Sequence, residues 1–278
     1  MSLFHSDDVR IAIVDSSKRI SGTSSAFSIS IDMPSYTQDF DRVALNQFSC
    51  PRSWYDINST SNTFTLKENT SQATITIPIG MYNVYTLAST LAPLLSSNSP
   101  NGLIYSISYP NASQVVNTNK FTFSVNTTSI AVQFIFTSRS PYQQLGFGLN
   151  TTNTFTIGST NSTLVSVNSI SISSINRLFL VSNCCGTAQD GILQEILIAG
   201  NYPSTSFVYY ENLNYDTNSK EFTNPANNSW EFAIYDRYGN IVDLNGLEVV
   251  FSLIFYKKNK TDELHFNDIK LKNLEKML

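Results

Sequence analysis

A long series of short segments in which apolar and polar residues alternate constrains the fold of this chain more than any other feature. In Ala26–Asp32, for example, Phe27, Ile29 and Ile31 alternate with serines. Alternation with a period of two places every second side chain on one face of a β-strand. The turn residues between the segments argue against a βαβ fold and predict a β-sandwich or jelly roll. The segments are AFSISID, RVALNQFSC, NTFTLKE, ATITIP, LIYSISY, KFTFSVN, IAVQFIF, ISISSINRLFLVSN, GILQEILIAG, SFVYYENL, NSWEFAIYD and LEVVFSLIFYKK.

One stretch changes its periodicity halfway. Within Thr74–Leu95 a strand pattern gives way to a helical one, because Leu87, Leu91 and Leu95 fall on one side of a helix. Pro93 removes one helical hydrogen bond, which predicts a kink or an early end of the helix. We expect this helix to cover the apolar face of a small sheet formed by ATITIP, LIYSISY, KFTFSVN and IAVQFIF.

Composition differs between two parts of the chain. Residues 58–165 are dominated by Asn, Ser and Thr, whereas the densest apolar strands follow them. The segment EVVFSLIFY is almost continuously apolar, which is typical of a central strand. We expect it to pair with the early strands at Phe27–Ile31 and Val43–Phe48. That pairing would bring together the two parts of a discontinuous domain around an insertion.

The sequence therefore predicts an all-β protein: a single jelly-roll β-sandwich with an inserted small β subdomain carrying one short helix, plus a C-terminal tail. The predicted boundaries are 1–57 and 166–258 for the jelly roll, 58–165 for the insertion and 259–278 for the tail. The tail combines lysines with leucines in partly helical spacing. Two interpretations of it stay open: a solvated, partly disordered segment, or a docking arm that orders on a partner.

Charged residues are scarce, at 14% of the chain against about 25% in an average globular protein. The net charge of −4 argues against a protein that coats nucleic acid, which would be basic. The N-terminal residues lack the pattern of a signal peptide, and no segment is apolar over the length of a membrane span. We therefore expect synthesis in a cytoplasm without secretion, so that the Asn-x-Ser/Thr triplets are not glycosylation sites.

The cysteine pattern does not indicate a disulfide framework. The three cysteines are Cys50, Cys184 and Cys185, an odd number with one adjacent pair. Adjacent cysteines rarely bridge, because their Cα atoms lie only about 3.8 Å apart. We expect three buried thiols in a reducing compartment.

No group of residues in the sequence indicates catalysis. The only histidines are His5 and His265, near the two ends of the chain, where a general base would be poorly positioned. The carboxylate pairs Asp7–Asp8 and Asp39–Asp41 fall in predicted loops, and we interpret them as solvated charge. The segment Asp216–Glu221 could donate oxygen atoms to calcium, but it lacks the EF-hand spacing.

The common site motifs are also missing from the sequence: the P-loop, the dinucleotide-binding glycine pattern, the nucleophile elbow and the C-x-x-C pair. The sequence thus predicts no catalytic, cofactor-binding or metal-binding residue, and a protein that is not an enzyme.

Six phrases occur along the chain in a recognisable order. They are an ITIP-G-Y strand at Ile75–Tyr82, a leucine helix at Leu87–Leu95, FTFSV at Phe121–Val125, LGF at Leu145–Phe147, a D-NG turn at Asp243–Gly246 and FSLIFY at Phe251–Tyr256. Together they resemble the penton (vertex) minor capsid proteins of virophages and polinton-like viruses, of the mavirus type. The resemblance implies a single jelly roll that forms a homopentamer at the vertices of an icosahedral capsid, with an outward insertion domain. It carries over no catalytic residue, and the tail matches no part of it.

The resemblance leads to the prediction of a structural capsid protein of an icosahedral double-stranded DNA virus or virophage, located in the virion. Its expected partners are copies of itself, the neighbouring major capsid protein and a host or helper-virus surface receptor contacted through the insertion. Neither a membrane nor sequence-specific nucleic acid is expected as a partner.

Three alternative functions stay open. The first is a jelly-roll receptor- or glycan-binding module, in which tyrosines stack on sugars. The second is a trimeric minor capsid or fibre protein. The third is an esterase or glycosidase on a β scaffold, and the lack of a well-placed histidine argues against the esterase. The tyrosines considered for sugar binding are Tyr105, Tyr109, Tyr209 and Tyr210.

Overall fold

The computed structural model describes residues 9–110, 118–173, 175–185, 191–198 and 206–258. Within them it contains antiparallel strands and one long helix, which confirms the predicted all-β class. All twelve segments predicted as strands contain one. The elements in chain order are β1 (Val9–Asp15), β2 (Ser21–Gly22), β3 (Ala26–Ser30), β4 (Arg42–Pro51), β5 (Thr63–Glu68), β6 (Ser71–Thr76), α1 (Val84–Ser97), β7 (Tyr105–Ser108), β8 (Thr122–Val125), β9 (Val132–Ile135), β10 (Thr152–Thr154), β11 (Ser162–Val165), β12 (Arg177–Ser182), β13 (Ile192–Leu197), β14 (Phe207–Glu211), α2 (Tyr215–Asn218), β15 (Lys220–Glu221), β16 (Ser229–Tyr235) and β17 (Val250–Tyr256).

The chain divides into two compact units, the first formed by residues up to Trp54 and from Ile175 onward, the second by Tyr55–Ser174. The sequence had placed these boundaries after residues 57 and 165. The shift has a physical reason at both ends. Ile57 is fully buried in the core of the second unit and forms a β-bridge with Gly80, and Ile170 is buried in the same core. The predicted tail, 259–278, lies outside the described residues.

The first unit is a β-sandwich of two antiparallel sheets. The first sheet has the order β1-β17-β4-β14, with β15 also paired to β4, and the second has the order β13-β12-β16-β3-β2. The eight principal strands are β1, β3, β4, β12, β13, β14, β16 and β17. Numbered along the chain, they run 1-8-3-6 in one sheet and 5-4-7-2 in the other. This is the interleaved order of a jelly roll, and the second unit is inserted between its third and fourth strands.

Aromatic side chains fill the space between the two sheets. Phe232 of the second sheet packs edge-on against Phe251 of the first, with ring centroids 5.0 Å apart. Trp230 meets Phe255 in the same way at 5.5 Å. Each of these side chains is at most 2% exposed, and burying one contributes about 1.5–3 kcal/mol. The inward-facing residues of the two sheets therefore form one core in which aromatic side chains pack together.

The central position predicted for the last strand is confirmed, but one of its predicted partners is wrong. β17 lies between β1 and β4, so the pairing with Val43–Phe48 is confirmed. The pairing with Phe27–Ile31 is wrong, because β3 belongs to the second sheet. The missing partner is the edge strand β1, which buries Ala12 and Val14 on its inner face and exposes Ile11 and Ile13 on its outer face.

The second unit holds two small sheets, with the orders β10-β9-β5-β6 and β11-β8-β7. The prediction of one sheet built from four segments is therefore wrong, since β6 and β9 lie in one sheet and β7 and β8 in the other. Both sheets contribute to one core, in which Phe123 of β8 and Phe134 of β9 pack edge-on with centroids 5.1 Å apart. Two facing sheets bury more apolar surface than one sheet under a helix.

Helix α1 covers this core as predicted: Leu87, Leu91 and Leu95 are all fully buried. Asn83 and Thr86 form a capping box at its start, each side chain accepting a backbone N–H of the other. Of the two outcomes predicted for Pro93, a kink or an early end, the early end is wrong, because the helix continues to Ser97. Ser89, whose carbonyl Pro93 leaves without a helical partner, is exposed, so water can satisfy it.

Candidate functional site

The acidic segments singled out in the sequence serve local structure. Asp41 accepts a hydrogen bond from the backbone N–H of Lys258 at 2.8 Å, and Asp39 lies 3.5 Å from the ammonium of Lys257. In Asp216–Glu221 the chain forms the end of α2 and the short strand β15. Within the described ranges, no group of three or more His, Cys, Asp or Glu side chains is arranged to hold a metal ion. His5, His265 and Asp7–Asp8 lie outside those ranges.

The three cysteines are free and buried, as predicted. Burial raises the pKa of the Cys50 thiol to about 12. The pKa of Cys185 is raised by its hydrogen bond with Cys184 and by burial. Because the thiolate is the reactive form, neither of these two thiols is suited to nucleophilic chemistry near neutral pH.

The most unusual buried polar group is the carboxylate of Glu68, at the end of β5. It is fully buried and accepts four hydrogen bonds. The Oε1 atom accepts from the Tyr105 hydroxyl and the Ser99 hydroxyl, both at 2.7 Å. The Oε2 atom accepts from the Asn101 backbone N–H at 2.9 Å and its side-chain amide at 3.0 Å. With every acceptor position occupied, this carboxylate fastens the α1–β7 connection to the first small sheet and has no room for a substrate.

Burial of Tyr105 and its hydrogen bond to Glu68 raise the pKa of this phenol above its ordinary value of 10. The neutral phenol is therefore favoured in the folded state. We expect its contribution to stability to be complete below about pH 10, where the unfolded phenol is also neutral, and to fall as the pH rises further. Urea unfolding between pH 8.5 and 11 tests this prediction. The Tyr105→Phe variant is the control, and its stability should decline less steeply; equal slopes would contradict the prediction.

The four tyrosines considered for sugar stacking do not present a common surface. Tyr105 is buried, and Tyr109 donates a hydrogen bond to Asn119 at 2.7 Å while packing against Phe121. Tyr210 packs against the core of the sandwich. Of the four, Tyr209 alone has an exposed ring, 57% accessible. Of these four tyrosines, only Tyr209 therefore offers its ring at the surface for stacking on a sugar.

The outer face of the first sheet carries an exposed apolar patch. Its members are Ile11 and Ile13 of β1, Val250 of β17, and Phe207 and Tyr209 of β14. The register places Val250 opposite Asp15 on one side and opposite Ser49 on the other, and Ser49 in turn pairs with Tyr209. Ile13, the most exposed of the five, is 75% accessible. We call these five residues the isoleucine patch.

The outer face of the second sheet is concave. A shallow groove of about 360 Å³ opens there, lined by small residues together with larger and charged ones. Ala233 of β16 pairs with Ala26 of β3, and Ser28 of β3 pairs with Ser21 of β2. Glu231 of β16 pairs with Ser28, and Val181, Asn183 and Tyr235 complete the lining. We call this depression the alanine groove.

Sequence reasoning did not find either surface. The alternating pattern of β1 was present in VRIAIVD, but an exposed isoleucine looks the same in a sequence as a buried one. The signal for the groove was the run of small residues at every second position of β3, whereas the same face of β16 holds Glu231, Ala233 and Tyr235. The pairing of those strands sets Ala26 beside Ala233 and Ser28 beside Glu231.

The described helices are all too short or too polar to cross a membrane. Comparison with known proteins gives a match at the level of structure alone. The chain matches no protein-family model and no curated protein. It is similar to the crystal structure of the selenomethionine-labelled mavirus penton protein, with a TM-score of 0.51 and 12% sequence identity, over 90% of this chain and 99% of that chain. The chain therefore shares a fold with that penton protein over nearly its whole length.

Proposed function

We propose that this protein is a structural capsid protein that forms the pentameric vertex of an icosahedral virus or virophage. The observation that carries the proposal is the fold, an interleaved jelly roll with a second unit inserted between its third and fourth strands. The similarity to the mavirus penton protein, with a TM-score of 0.51 over 90% of this chain, supports the proposal. A shared fold alone does not define a function, so the proposal also depends on the surfaces of the sandwich.

The buried polar groups and the exposed surface of the described residues suit assembly better than catalysis. The buried carboxylate of Glu68 is saturated with hydrogen bonds, and Cys50 and Cys185 are held as thiols. In contrast, the sandwich exposes five large apolar side chains on one sheet. Exposed apolar patches of this kind mark contacts with other macromolecules. We propose a virion location, with the neighbouring major capsid protein as a second partner and a host or helper-virus receptor contacted through the inserted unit.

The mass of the purified full-length chain tests the proposal. We expect multi-angle light scattering across a concentration series to detect an assembly of five copies, and negative-stain images to show closed rings. Stable trimers would favour the alternative of a trimeric minor capsid or fibre protein. A chain that remains monomeric at all concentrations, and also when mixed with its major capsid protein, would contradict the vertex proposal.

A further inference from the structure

We propose that the C-terminal tail, residues 259–278, lies on the outer face of β1 in its own subunit and covers an apolar strip there. The strip consists of Val9, Ile11 and Ile13 of β1 together with Ile254 of β17. We call these four residues the β1 strip. The inference goes beyond the proposed function, because it concerns how one copy covers its own edge strand and does not depend on the number of copies in an assembly.

The β1 strip is continuous, whereas the isoleucine patch as a whole is not. Ile11 pairs with Ile254 across the ladder, and Ile13 follows Ile11 at the next position on the same face. Ile11 is 51% exposed and Ile13 is 75% exposed, although such side chains are usually buried. Polar side chains of β4 separate the strip from the aromatic members of the patch on β14. The strip is therefore a surface of its own.

The strand that carries the strip is one that proteins usually protect. β1 is the edge of the first sheet, so within the described ranges its outer backbone groups have no neighbouring strand. An edge strand with exposed apolar side chains can pair with other chains, and proteins cover or charge such edges to prevent this. A cover over the β1 strip would remove that risk.

The tail starts directly beside the strip. Tyr256, the last residue of β17, pairs with Val9. The backbone N–H of Lys258 donates to Asp41 at 2.8 Å, so the chain is still held against the first sheet at the last residue that the structure describes. From Val9 the strip extends only about 14 Å, the length of four residues of strand. A segment tethered this close has an effective concentration on the order of millimolar.

The tail has apolar side chains in a spacing that suits the strip. Leu271, Leu274 and Leu278 would fall on one side of a helix. Seven residues of helix rise about 10 Å, which is close to the length of the strip. Asn273 and Lys276 would fall on the opposite side, where they keep contact with water.

The N-terminal residues also adjoin the strip, but they suit it less well. Asp7 and Asp8 come directly before Val9. Bringing two carboxylates onto an apolar surface is costly, because both would lose hydration. The three leucines at the end of the tail carry no such cost, so we assign the strip to the tail.

Intramolecular cross-linking tests this contact directly. The native cysteines are all buried, so a cysteine introduced on the surface is selectively reactive. We expect a short bismaleimide to join the two thiols of the full-length variant Ile13→Cys/Leu274→Cys within one chain, which intact-mass spectrometry detects as one linker per monomer. The matched control is Phe207→Cys/Leu274→Cys, at a 61% exposed residue on the other edge of the same sheet. It should give at least about 10-fold less product, because the tail is not held near that edge.

The outcomes separate this inference from the proposed function. Equal product from the double variant and its control would overturn the inference. Cross-linked dimers from an equal mixture of the two single variants would also overturn it, because the tail would then cross to another copy. Rings of five copies without the intramolecular product would overturn the tail contact and leave the vertex proposal standing. A chain that stays monomeric even with its major capsid protein, and yet gives the product, would do the reverse.

Amide hydrogen exchange gives an independent measurement. We expect deletion of residues 261–278, and also Leu274→Asp in the full-length chain, to speed exchange in β1 at least about 10-fold, because the edge amides lose their cover. Asn273→Asp adds the same charge on the opposite side of the helix and should leave exchange in β1 unchanged. β14, the other edge strand of the sheet, is the internal reference for every variant. If exchange in β1 is the same with and without the tail, the tail does not cover the strip.

Discussion

Replacement of Phe134 by alanine is expected to lower the free energy of unfolding of the second unit by about 4 kcal/mol. Phe134 is fully buried, and its ring is the hub of an aromatic cluster drawn from both small sheets. Truncation removes the transfer free energy of the ring, leaves a cavity and deletes edge-to-face contacts, each worth about 0.5–1.5 kcal/mol. The rings around it are Phe64, Phe123, Phe136, Phe147 and Phe155.

The effect should be measured where it arises. Amide hydrogen exchange in β5 and β9 reports the stability of the second unit, and we expect protection there to fall by two to three orders of magnitude, since 1.4 kcal/mol corresponds to a factor of ten. Both tryptophans, Trp54 and Trp230, are buried in the core of the first unit, so their fluorescence reports whether that unit is still folded. Ile135→Ala, on the half-buried opposite face of β9, is the control. Similar losses in the two variants would contradict the assigned core.

The strands could be predicted from the sequence because period-two alternation is a local property. β3, β4 and β16 each bury the residues that the pattern assigns to the core. Pairing between strands could not be predicted in the same way. β3 and β1 have similar alternation, yet β17 pairs with β1, because the interleaved order depends on contacts more than 200 residues apart. The same limitation led to one predicted sheet in the insertion instead of two.

The exposed apolar surface was harder to predict than the strands, because residue type alone does not determine whether a side chain is exposed. Ile11 and Ile13 have the sequence pattern of a core-forming strand, and their exposure follows from which face of the first sheet meets the second. Glu68 shows the converse. In the segment NTFTLKE it looks like a solvated charge at a strand end, and only the α1–β7 connection buries it. In both cases a long-range contact decides the role of the residue.

Removal of that buried carboxylate by the Glu68→Ala substitution is expected to destabilise the second unit by about 3–5 kcal/mol. Four donors would lose their acceptor, namely the hydroxyls of Ser99 and of buried Tyr105, and the backbone and side-chain amides of Asn101 at the surface. Each buried donor without a partner costs about 1–3 kcal/mol, and hydrogen bonds to a charged group are the stronger ones. Urea unfolding followed by far-ultraviolet circular dichroism, with exchange protection of β5 and β7, measures the loss.

A double-mutant cycle with Tyr105→Phe separates the hydrogen bonds from the packing of the glutamate stem. We expect a coupling free energy of about 1–2 kcal/mol between the two residues, because the 2.7 Å contact joins a hydroxyl to a charged acceptor in a dry environment. Glu211→Ala, at an exposed glutamate of β14, is the matched control and should cost less than about 0.5 kcal/mol. If Glu68→Ala is as mild as this control, Glu68 is solvated in solution and does not fasten the α1–β7 connection.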